Sequence, residues 1–441
     1  MRRNQTLSFF LLFIALVSVS STLTAQNTPF GKDDSSYVVG KYNIWGYAFM
    51  DYYYKGHSDT AGTFNGSYHG RGGSNQYTGV PQSHSAFQSR RIYLGFDYNL
   101  SKHFSTEFLL ADEDNFTDPN TTVTPVVPSG DLTADGKSTF YLKLANIRWK
   151  NLWKGTDFVF GQQATPSFPL LTEVVWGYRS IERTVSDIRR TPSFDFGAGL
   201  NGIFDPKTRN FGYDLLVGNG TQAKPVPFSN AGSGNSKWFY GDIWAKLFDK
   251  HLILDLYADY YRLNWVPTWH NSRQMVKGYI AYTTPKITIG VEGFMNTLKN
   301  DAFLTTKATP AVTDTANSVA QALSYYIRGR IIGDKLGFFI RMDNYNPNKN
   351  ITSSNVANYS KIVGHTSNYI EPTADPLVNG GSASAPTVHE TFFTAGLDFT
   401  PIKSVHIMPN IWYDHYHTMG NGTADNHDMV YRMTFYYIYG K

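Results

Sequence analysis

Hydrophobic and polar side chains alternate one by one in many stretches of this chain, most clearly near its carboxyl end. In residues 427–439, one parity carries Met429, Tyr431, Met433, Phe435, Tyr437 and Tyr439, and the other includes Arg432, Thr434 and Tyr436. A strand sends successive side chains to opposite faces, so this pattern predicts a strand with one apolar and one mostly polar face. Outer-membrane β-barrels use such strands, because one face meets lipid and the other meets a wet lumen.

Runs with strand-like composition recur along the chain and predict sixteen strands. Their spans are 40–54, 84–98, 103–112, 138–149, 156–163, 193–204, 210–219, 236–247, 251–262, 271–283, 286–296, 320–332, 336–345, 389–400, 404–414 and 427–439. In the second run, Ile92, Leu94 and Phe96 oppose Arg91, Tyr93 and Asp97. No fixed repeat is visible, which argues against a propeller or a β-helix.

The connections between these runs alternate between short and long. The short ones are 99–102, 151–155, 205–209, 248–250, 284–285, 333–335 and 401–403, and the long ones are 55–83, 113–137, 164–192, 220–235, 263–270, 297–319, 346–388 and 415–426. Tight periplasmic turns and long outer loops give this alternation in a membrane barrel. The sequence therefore predicts an all-β fold, a transmembrane antiparallel β-barrel of about sixteen strands, which is wide enough for an aqueous channel.

The amino-terminal residues have the pattern of a secretory signal. Arg2 and Arg3 form a positive region, residues 7–19 are apolar, and a cleavage site follows at Ala25. The apolar stretch is shorter than the roughly 20 residues that a spanning helix needs. We therefore expect a signal peptide over 1–25, a short periplasmic linker over 26–39, and a single barrel over 40–441.

Composition narrows the class of protein. Aromatic residues make up 16% of the chain, which suits aromatic girdles at the two membrane interfaces. Cysteine is absent, so a disulfide scaffold and thiolate metal sites are excluded. Without Arg2 and Arg3 the chain has 37 basic and 35 acidic residues, and this near balance argues against a nucleic-acid partner.

The third long connection, 164–192, is less polar than the other long connections. Leu170, Leu171, Val174, Val175 and Ile181 could form one or two helical turns. That much apolar surface is unfavourable in water, so we expect the loop to fold inward and pack on the barrel wall. It would then narrow the pore with Arg179, Arg183, Arg189 and Arg190, tempered by Glu182 and Asp187. The alternative is a surface lid or a loop at a trimer contact.

Strand parity also places basic side chains in the lumen. These are Arg91, Lys143, Arg328, Arg330 and Arg341, and acidic side chains share the inward parity at Asp97, Asp255, Asp259, Glu292, Asp343 and Asp398. Guanidinium forks hold phosphate and carboxylate well, and rings of such groups select anions in pores. The alternative is that each arginine is neutralised by a lumen carboxylate, as Arg341 would be by acids on neighbouring strands.

Signals for an enzyme are weak. Residues 414–417, Asp-His-Tyr-His, contain ligand types that bind metals, and His406 or His415 could serve as a base. No nucleophile motif lies near either histidine, and no Walker, HExxH or GxSxG motif is present. The sequence therefore predicts neither an enzyme nor a bound metal or cofactor.

Two stretches resemble a known family. Arg90-Arg-Ile-Tyr-Leu-Gly-Phe-Asp-Tyr-Asn-Leu, followed by Glu107-Phe-Leu-Leu-Ala-Asp, resembles the early hairpin of the phosphate-selective porins. Gly161-Gln-Gln-Ala-Thr-Pro-Ser-Phe, followed by Ile181-Glu-Arg, resembles that family's strand into its third loop. The resemblance covers about residues 85–204. It implies a sixteen-stranded, trimeric outer-membrane porin with a basic interior, and the leader and the aromatic content suit a Bacteroidetes-like Gram-negative source.

Three functional hypotheses follow. The first is a passive diffusion channel in the cell outer membrane, surrounded by lipid and lipopolysaccharide, that carries small anionic or neutral solutes such as phosphate. The second is a barrel that acts as an adhesin or partner scaffold through the long loops 55–83 and 346–388. The third is a barrel enzyme, such as a lipid hydrolase that uses His406 or His415.

Overall fold

The computed structural model describes residues 39–57, 82–113, 140–188, 192–220, 236–262, 271–346, 348–350, 352, 358–364, 379–382, 388–418 and 426–440. The strands are β1 Tyr42–His57, β2 Ser85–Asn99, β3 Phe104–Glu113, β4 Tyr141–Trp153, β5 Thr156–Ala164, β6 Phe194–Ile203, β7 Phe211–Gly218, β8 Trp238–Leu247, β9 Leu252–Arg262, β10 Ser272–Thr283, β11 Ile287–Thr306, β12 Thr313–Ile332, β13 Leu336–Asn346, β14 Tyr359–Gly364, β15 Asn379–Ser382, β16 Val388–Ile402, β17 Val405–Thr418 and β18 Asn426–Tyr439. Two short helices, α1 Thr172–Trp176 and α2 Val185–Ile188, lie between β5 and β6.

Within these ranges the eighteen strands form one antiparallel sheet, and sixteen of them close into a barrel. Each strand pairs with the next in sequence up to β13, which then pairs with β16. The seam is made by β1 and β18, with Gly46 opposite Tyr439 and Lys55 opposite Val430. A closed sheet has no unpaired edge, so every strand in the wall finds a backbone partner on both sides. The predicted sixteen-stranded barrel is therefore confirmed.

The predicted alternation of faces is also confirmed. On β2, Leu94 and Phe96 are exposed, whereas Arg91 and Tyr93 are buried. Residues of the exposed parity are apolar or aromatic in strand after strand, as required of a wall that spans a membrane. We call this side the outer face and the enclosed, mostly polar side the inner face. Among the residues with assigned structure, no helix has the length and apolar composition needed to cross a bilayer.

Two predicted loops contain strands instead. The connection 297–319 was predicted as a loop, which is wrong, because β11 runs to Thr306 and β12 begins at Thr313. Their upper parts rise above the neighbouring strand, and β14 pairs with Ala302–Thr306. The loop 346–388 likewise contains β14 and β15. Above the membrane neither face of a strand contacts lipid, so its side chains need not alternate between apolar and polar. The pattern that predicted the other strands is therefore missing there.

The short turns use local hydrogen bonds. Between β6 and β7, the backbone N–H of Lys207 and the hydroxyl of Thr208 donate to the Asp205 carboxylate at 3.0 Å and 2.9 Å. Hydrogen-bond donors favour the charged form of a carboxylate. The pKa of Asp205 is therefore lowered from its usual value, mainly by the backbone hydrogen bond and next by the hydroxyl. Asp at this position therefore fixes the turn that aligns β6 with β7.

The barrel seam depends on a glycine covered by an aromatic ring. The Tyr439 hydroxyl donates to the Tyr93 carbonyl at 2.7 Å. A Cβ on Gly46 would lie 2.3 Å from that hydroxyl oxygen and 2.2 Å from the carbonyl oxygen. Any larger side chain at position 46 must therefore displace Tyr439.

We expect Gly46→Leu to lower the midpoint of thermal unfolding in detergent, because overpacking typically costs about 1–3 kcal/mol. The loss of the fast-migrating folded band on gels of heated samples measures this midpoint. Gly278→Ala is the control, since a Cβ there would meet only Leu256 Cδ2 at 3.8 Å. An unchanged midpoint in Gly46→Leu would show that the seam tolerates the displacement of Tyr439.

Candidate functional site

The segment between β5 and β6 packs against the inner face of the barrel. Trp176, at the end of α1, is 1% exposed and lies 4.9 Å from the ring of Tyr326 on β12. The ring of Tyr178 packs at a tilt of 39° against Phe339 of β13, with ring centroids 4.6 Å apart. We call residues 165–188 the third-loop segment. These contacts remove its aromatic and aliphatic side chains from water. The inward loop was expected on the same ground, because apolar surface in residues 164–192 is unfavourable in water.

Two backbone features shape this segment. Gly177 ends α1 with φ of 72°, a conformation that favours glycine, and its N–H donates to the Glu173 carbonyl at 2.9 Å. The indole N–H of Trp176 donates to the Glu182 carbonyl at 2.8 Å. The chain is thereby folded back on itself between α1 and α2, and several of its carbonyl groups face the barrel wall.

Arginines from four strands donate hydrogen bonds to those carbonyls. Arg90 reaches the carbonyl of Ser180 at 3.0 Å. Arg432 reaches Ile181 at 2.8 Å, Arg328 reaches Val175 at 3.1 Å, and Arg341 reaches Glu182 at 3.4 Å and also Arg183. A guanidinium has five donors, so it can satisfy loop carbonyls that have no partner in a helix or sheet. We call Arg90, Arg328, Arg341 and Arg432 the arginine clamp.

A β-bulge brings two consecutive arginines to the inner face. Phe49 on β1 pairs with Arg91, and Met50 pairs with Ser89, so Arg90 is the extra residue in β2. Both arginine side chains are buried, which strict alternation forbids. Sequence reasoning assigned Arg91 to the lumen and missed Arg90 for this reason. The consecutive Arg-Arg pair was the available signal, because a charge is costly on a lipid-facing wall.

A network of alternating charges lies beside the clamp. The Glu113 carboxylate accepts from Lys143 and from the Tyr93 hydroxyl, and it lies 3.4 Å from Arg91 and 3.8 Å from Arg179. Arg179 also contacts Glu173, and it lies 3.5 Å from Asp187, which in turn lies 3.5 Å from Arg183. We call these seven charged residues the charge network; they are Arg91, Glu113, Lys143, Glu173, Arg179, Arg183 and Asp187.

The network keeps part of its charge in contact with solvent. The side chains of Arg179 and Glu113 are 15% and 14% exposed, and that of Arg183 is 20% exposed. Partly hydrated ions avoid the full cost of burying charge. The third-loop segment therefore carries charged side chains that are partly exposed to solvent.

The structure distributes the predicted site residues among three places. Arg91, Lys143, Arg179 and Arg183 meet in the charge network, and Arg328 and Arg341 belong to the clamp. Arg330 is separate: it pairs with Asp334 at 2.5 Å near the β12–β13 turn and is largely exposed. Arg341 donates to Asp343 on its own strand at 2.8 Å, rather than to an acid on a neighbouring strand. Arg189 and Arg190 lie outside the described residues. A role of any of them in anion passage stays a prediction.

The inner face between β6 and β11 is rich in acidic residues. Asp195, Asp214, Asp242, Asp255, Asp259 and Glu292 all lie on the inner face of β6–β11 and are buried. Most of them use donors on the same wall or on the third-loop segment. Asp259 accepts from the Tyr257 hydroxyl at 2.7 Å, and Asp255 lies 3.0 Å from Lys277. Of the six acids predicted to point inward, five are buried on the inner face and Asp97 is half-buried; the five are Asp255, Asp259, Glu292, Asp343 and Asp398. The β6–β11 wall also carries the buried cations Arg273 and Lys277, so its acids are partly neutralised.

The arrangement of the described side chains does not support the hypotheses of a metal site and of a hydrolase. Among the described side chains, no three His, Asp or Glu groups converge in a way that could hold a metal ion. His406 Nδ1 lies 2.9 Å from the Asp398 carboxylate, whose other oxygen accepts from the Tyr178 hydroxyl at 3.1 Å. This histidine thus links β16 and β17 near the third-loop segment, with no serine in the described contacts.

We expect Arg341→Leu to lower stability by about 3–5 kcal/mol, because the change removes the buried ion pair with Asp343 and the hydrogen bonds to the Glu182 and Arg183 carbonyls. Thermal unfolding in detergent measures the effect. Arg330→Leu is the control and should change stability little, since exposed ion pairs contribute about 0–1 kcal/mol. The double variant Arg341→Leu/Asp343→Leu separates the buried charge from the loop contact. Equal midpoints for Arg341→Leu and Arg330→Leu would argue against the clamp.

Comparison with known proteins gives structural likeness without sequence likeness. No family model and no curated protein matches the chain. The anion-selective porin from Comamonas acidovorans is 10% identical, with a TM-score of 0.56, over 91% of this chain and 100% of the porin. The outer-membrane channel DcaP of Acinetobacter baumannii is 9% identical, with a TM-score of 0.55, over 91% and 98%. OmpF from Salmonella typhi, solved with daunomycin, is 9% identical, with a TM-score of 0.52, over 90% and 98%.

This chain has the fold of an outer-membrane porin. The likeness covers about nine-tenths of the chain and nearly the whole of each neighbour. At this level of identity it concerns the fold alone. The phosphate-selective assignment from residues 85–204 stays a prediction.

Proposed function

We propose that the protein is a passive diffusion channel of the outer membrane for small hydrophilic solutes. The observation that carries the proposal is the third-loop segment, which is tied by the arginine clamp to the inner face of a closed sixteen-stranded barrel. A barrel of this width encloses water, and a fixed segment within it narrows the path without closing the wall. Nothing is chemically converted, and no cofactor takes part.

We also propose that passage is biased toward anions such as phosphate. Arg183 has the most exposed side chain of the charge network, and Arg179 contributes a second guanidinium nearby. The acids of the β6–β11 wall are more deeply buried, so they act on a solute from a greater distance. Exposed guanidinium groups attract anions in a narrow, partly desolvated passage. This supports an anion bias set by the third-loop segment.

The proposed assembly is a homotrimer embedded in outer-membrane lipid and lipopolysaccharide. The support is the resemblance of residues 85–204 to the phosphate-selective porins, for which a trimer is expected. Native mass spectrometry of the purified protein tests it, since three chains per particle are expected and a single chain would contradict the assembly.

Planar-bilayer recording tests the channel. We expect discrete conductance steps and, in a salt gradient, a reversal potential of the sign that marks anion preference. The preference should weaken as salt rises, because the Debye length falls from about 10 Å at 0.1 M to about 3 Å at 1 M. A protein that inserts but never conducts would defeat the channel proposal, whereas cation preference would defeat only the anion bias.

A second candidate function is that of a partner scaffold at the cell surface. The observation in its favour is the part of the sheet that extends beyond the barrel wall, in which β14 pairs with the upper part of β11 and β15 pairs with β14. Exposed sheet edges are common sites of strand addition by a partner. Removal of residues 303–315 would abolish such binding and leave conductance intact, which separates the two functions.

A further inference from the structure

The outer face has a hollow where two glycines meet. Gly278 on β10 lies directly opposite Gly293 on β11, so neither strand places a side chain there. Leu256 and Leu323 stand on either side of the pair. The resulting cavity has a volume of about 840 Å³, and the exposed side chains of Val276, Met295 and Leu323 contribute to its lining. Large side chains cover most of the outer face, so a hollow of this size is a local departure from the pattern.

The hollow lies at the upper border of the apolar band. The next outward positions toward the short turns are apolar and exposed, including Ile280, Tyr325 and Met342. On the side of the long loops the lining becomes polar, with Gln321, Asn344 and Asn346. The lining is therefore apolar below and amide-rich above, at the depth where lipid tails meet lipid head groups.

The upper border carries hydrogen-bond donors and a cation. Thr391 donates to the amide oxygen of Asn344 at 3.1 Å, so the N–H₂ group is what Asn344 offers to a ligand. The exposed ammonium of Lys349 lies 3.5 Å from the Met295 sulfur and thus stands over the hollow. A ligand with an alkyl chain below and an anionic, hydroxyl-bearing head above is complementary to this arrangement.

We propose that the hollow holds one phosphoglycolipid of the lipid A type from the outer leaflet. An acyl chain lies against Gly278 and Gly293. The Lys349 ammonium pairs with a phosphate, and the amides of Asn344 and Gln321 bind sugar hydroxyls. Charge complementarity at Lys349 favours this occupant over a second copy of the chain, for which an exposed cation at the border would be costly to bury. The inference is independent of the proposed channel function.

Native mass spectrometry of the detergent-purified protein tests the proposal. The probes are bisphosphorylated lipid A, lipid A without its phosphates, and phosphatidylethanolamine. We expect one lipid A to bind per chain and the other two probes to bind more weakly. Lys349→Gln should weaken bisphosphorylated lipid A several-fold and leave the dephosphorylated form unchanged, because only the ion pair is lost.

Gly278→Leu fills the hollow without a clash, since a Cβ there has only an ordinary contact with Leu256. It should weaken lipid A binding about tenfold, which corresponds to about 1.4 kcal/mol. Gly241→Leu on β8 is the control, because it adds the same side chain to the outer face away from the hollow, where its Cβ would meet the flexible end of Leu215 at 3.1 Å.

Three outcomes would overturn the proposal. The first is equal lipid A binding in Gly278→Leu and Gly241→Leu. The second is an affinity for phosphatidylethanolamine equal to that for lipid A. The third is a change in the number of chains per particle in Gly278→Leu, which would identify the hollow as a subunit contact. Conductance of both glycine variants should match that of the unmodified protein, so failure here leaves the channel proposal untouched.

Discussion

Replacement of residues 168–190 by Gly-Ser-Gly is expected to raise single-channel conductance several-fold. The stems of the third-loop segment already lie side by side, because the Thr165 N–H donates to the Ser193 carbonyl at 3.1 Å and the Ser167 hydroxyl lies 3.2 Å from the Pro192 carbonyl. A three-residue link can therefore join them without distortion of β5 or β6. Removal of the segment widens the narrowest part of the path, and conductance rises with its cross-section.

The barrel should survive this deletion. Its stability rests on the closed ladder of backbone hydrogen bonds, and the clamp arginines would face water in the emptied lumen, where a charge is well solvated. Planar-bilayer recording and the size limit of sugars that enter proteoliposomes measure the change. Replacement of residues 303–315 by Asn-Gly is the control, since Ala302 and Ala316 are paired and the shortened hairpin closes above the wall. Unchanged conductance after removal of the loop segment would show that it is not the constriction.

Arg183→Glu is expected to shift selectivity strongly toward cations. The change alters the charge at the most exposed cation of the network by two units. At an effective dielectric constant of about 20, a unit charge about 6 Å from an ion acts with roughly 3 kcal/mol before screening. Salt and water reduce this, and about 1.4 kcal/mol is enough for a tenfold change in relative permeability. We therefore expect a change of about tenfold in the anion-to-cation ratio at low salt.

Reversal potentials in a salt gradient measure this shift. Arg183→Gln should give about half of it, and Arg330→Glu is the matched control, because Arg330 carries the same charge on the inner face but lies at the β12–β13 turn, away from the network. The stability of Arg183→Glu should fall only modestly, since the Arg183 side chain is partly exposed. If Arg330→Glu shifts selectivity as much as Arg183→Glu, the constriction does not lie at the third-loop segment.

Much of the inner-face placement followed from parity. Residues Asp255, Glu292 and Arg341 were assigned to the lumen from alternation, and the structure buries all three on the inner face. Arg90 was missed, because the bulge in β2 shifts the register by one residue at that point. Alternation is a rule about regular strands, and a bulge is a local exception that a single sequence does not announce.

The roles of the arginines did not follow from parity. Arg328 and Arg341 were expected to line the path, whereas they donate hydrogen bonds that join the barrel wall to loop carbonyls. Arg179 was expected on the loop and lies there, but its charge is shared among Glu113, Glu173 and Asp187. Which cation meets which acid depends on distances between residues far apart in the chain, and no local pattern encodes them.

The sequence by itself determined the barrel, its strand number, the face that each regular strand turns outward, and the unusual apolar character of the third loop. It could do so because a polar side chain at a lipid-facing position, which is every second position of a strand, costs free energy. Each strand that spans the membrane must therefore show the alternation in its own sequence. The tertiary structure decided where the third-loop segment docks, which arginines hold it, and that the connection 297–319 forms a raised hairpin. These depend on contacts between distant residues in water or across the lumen, where neither lipid nor local periodicity constrains the choice of side chain.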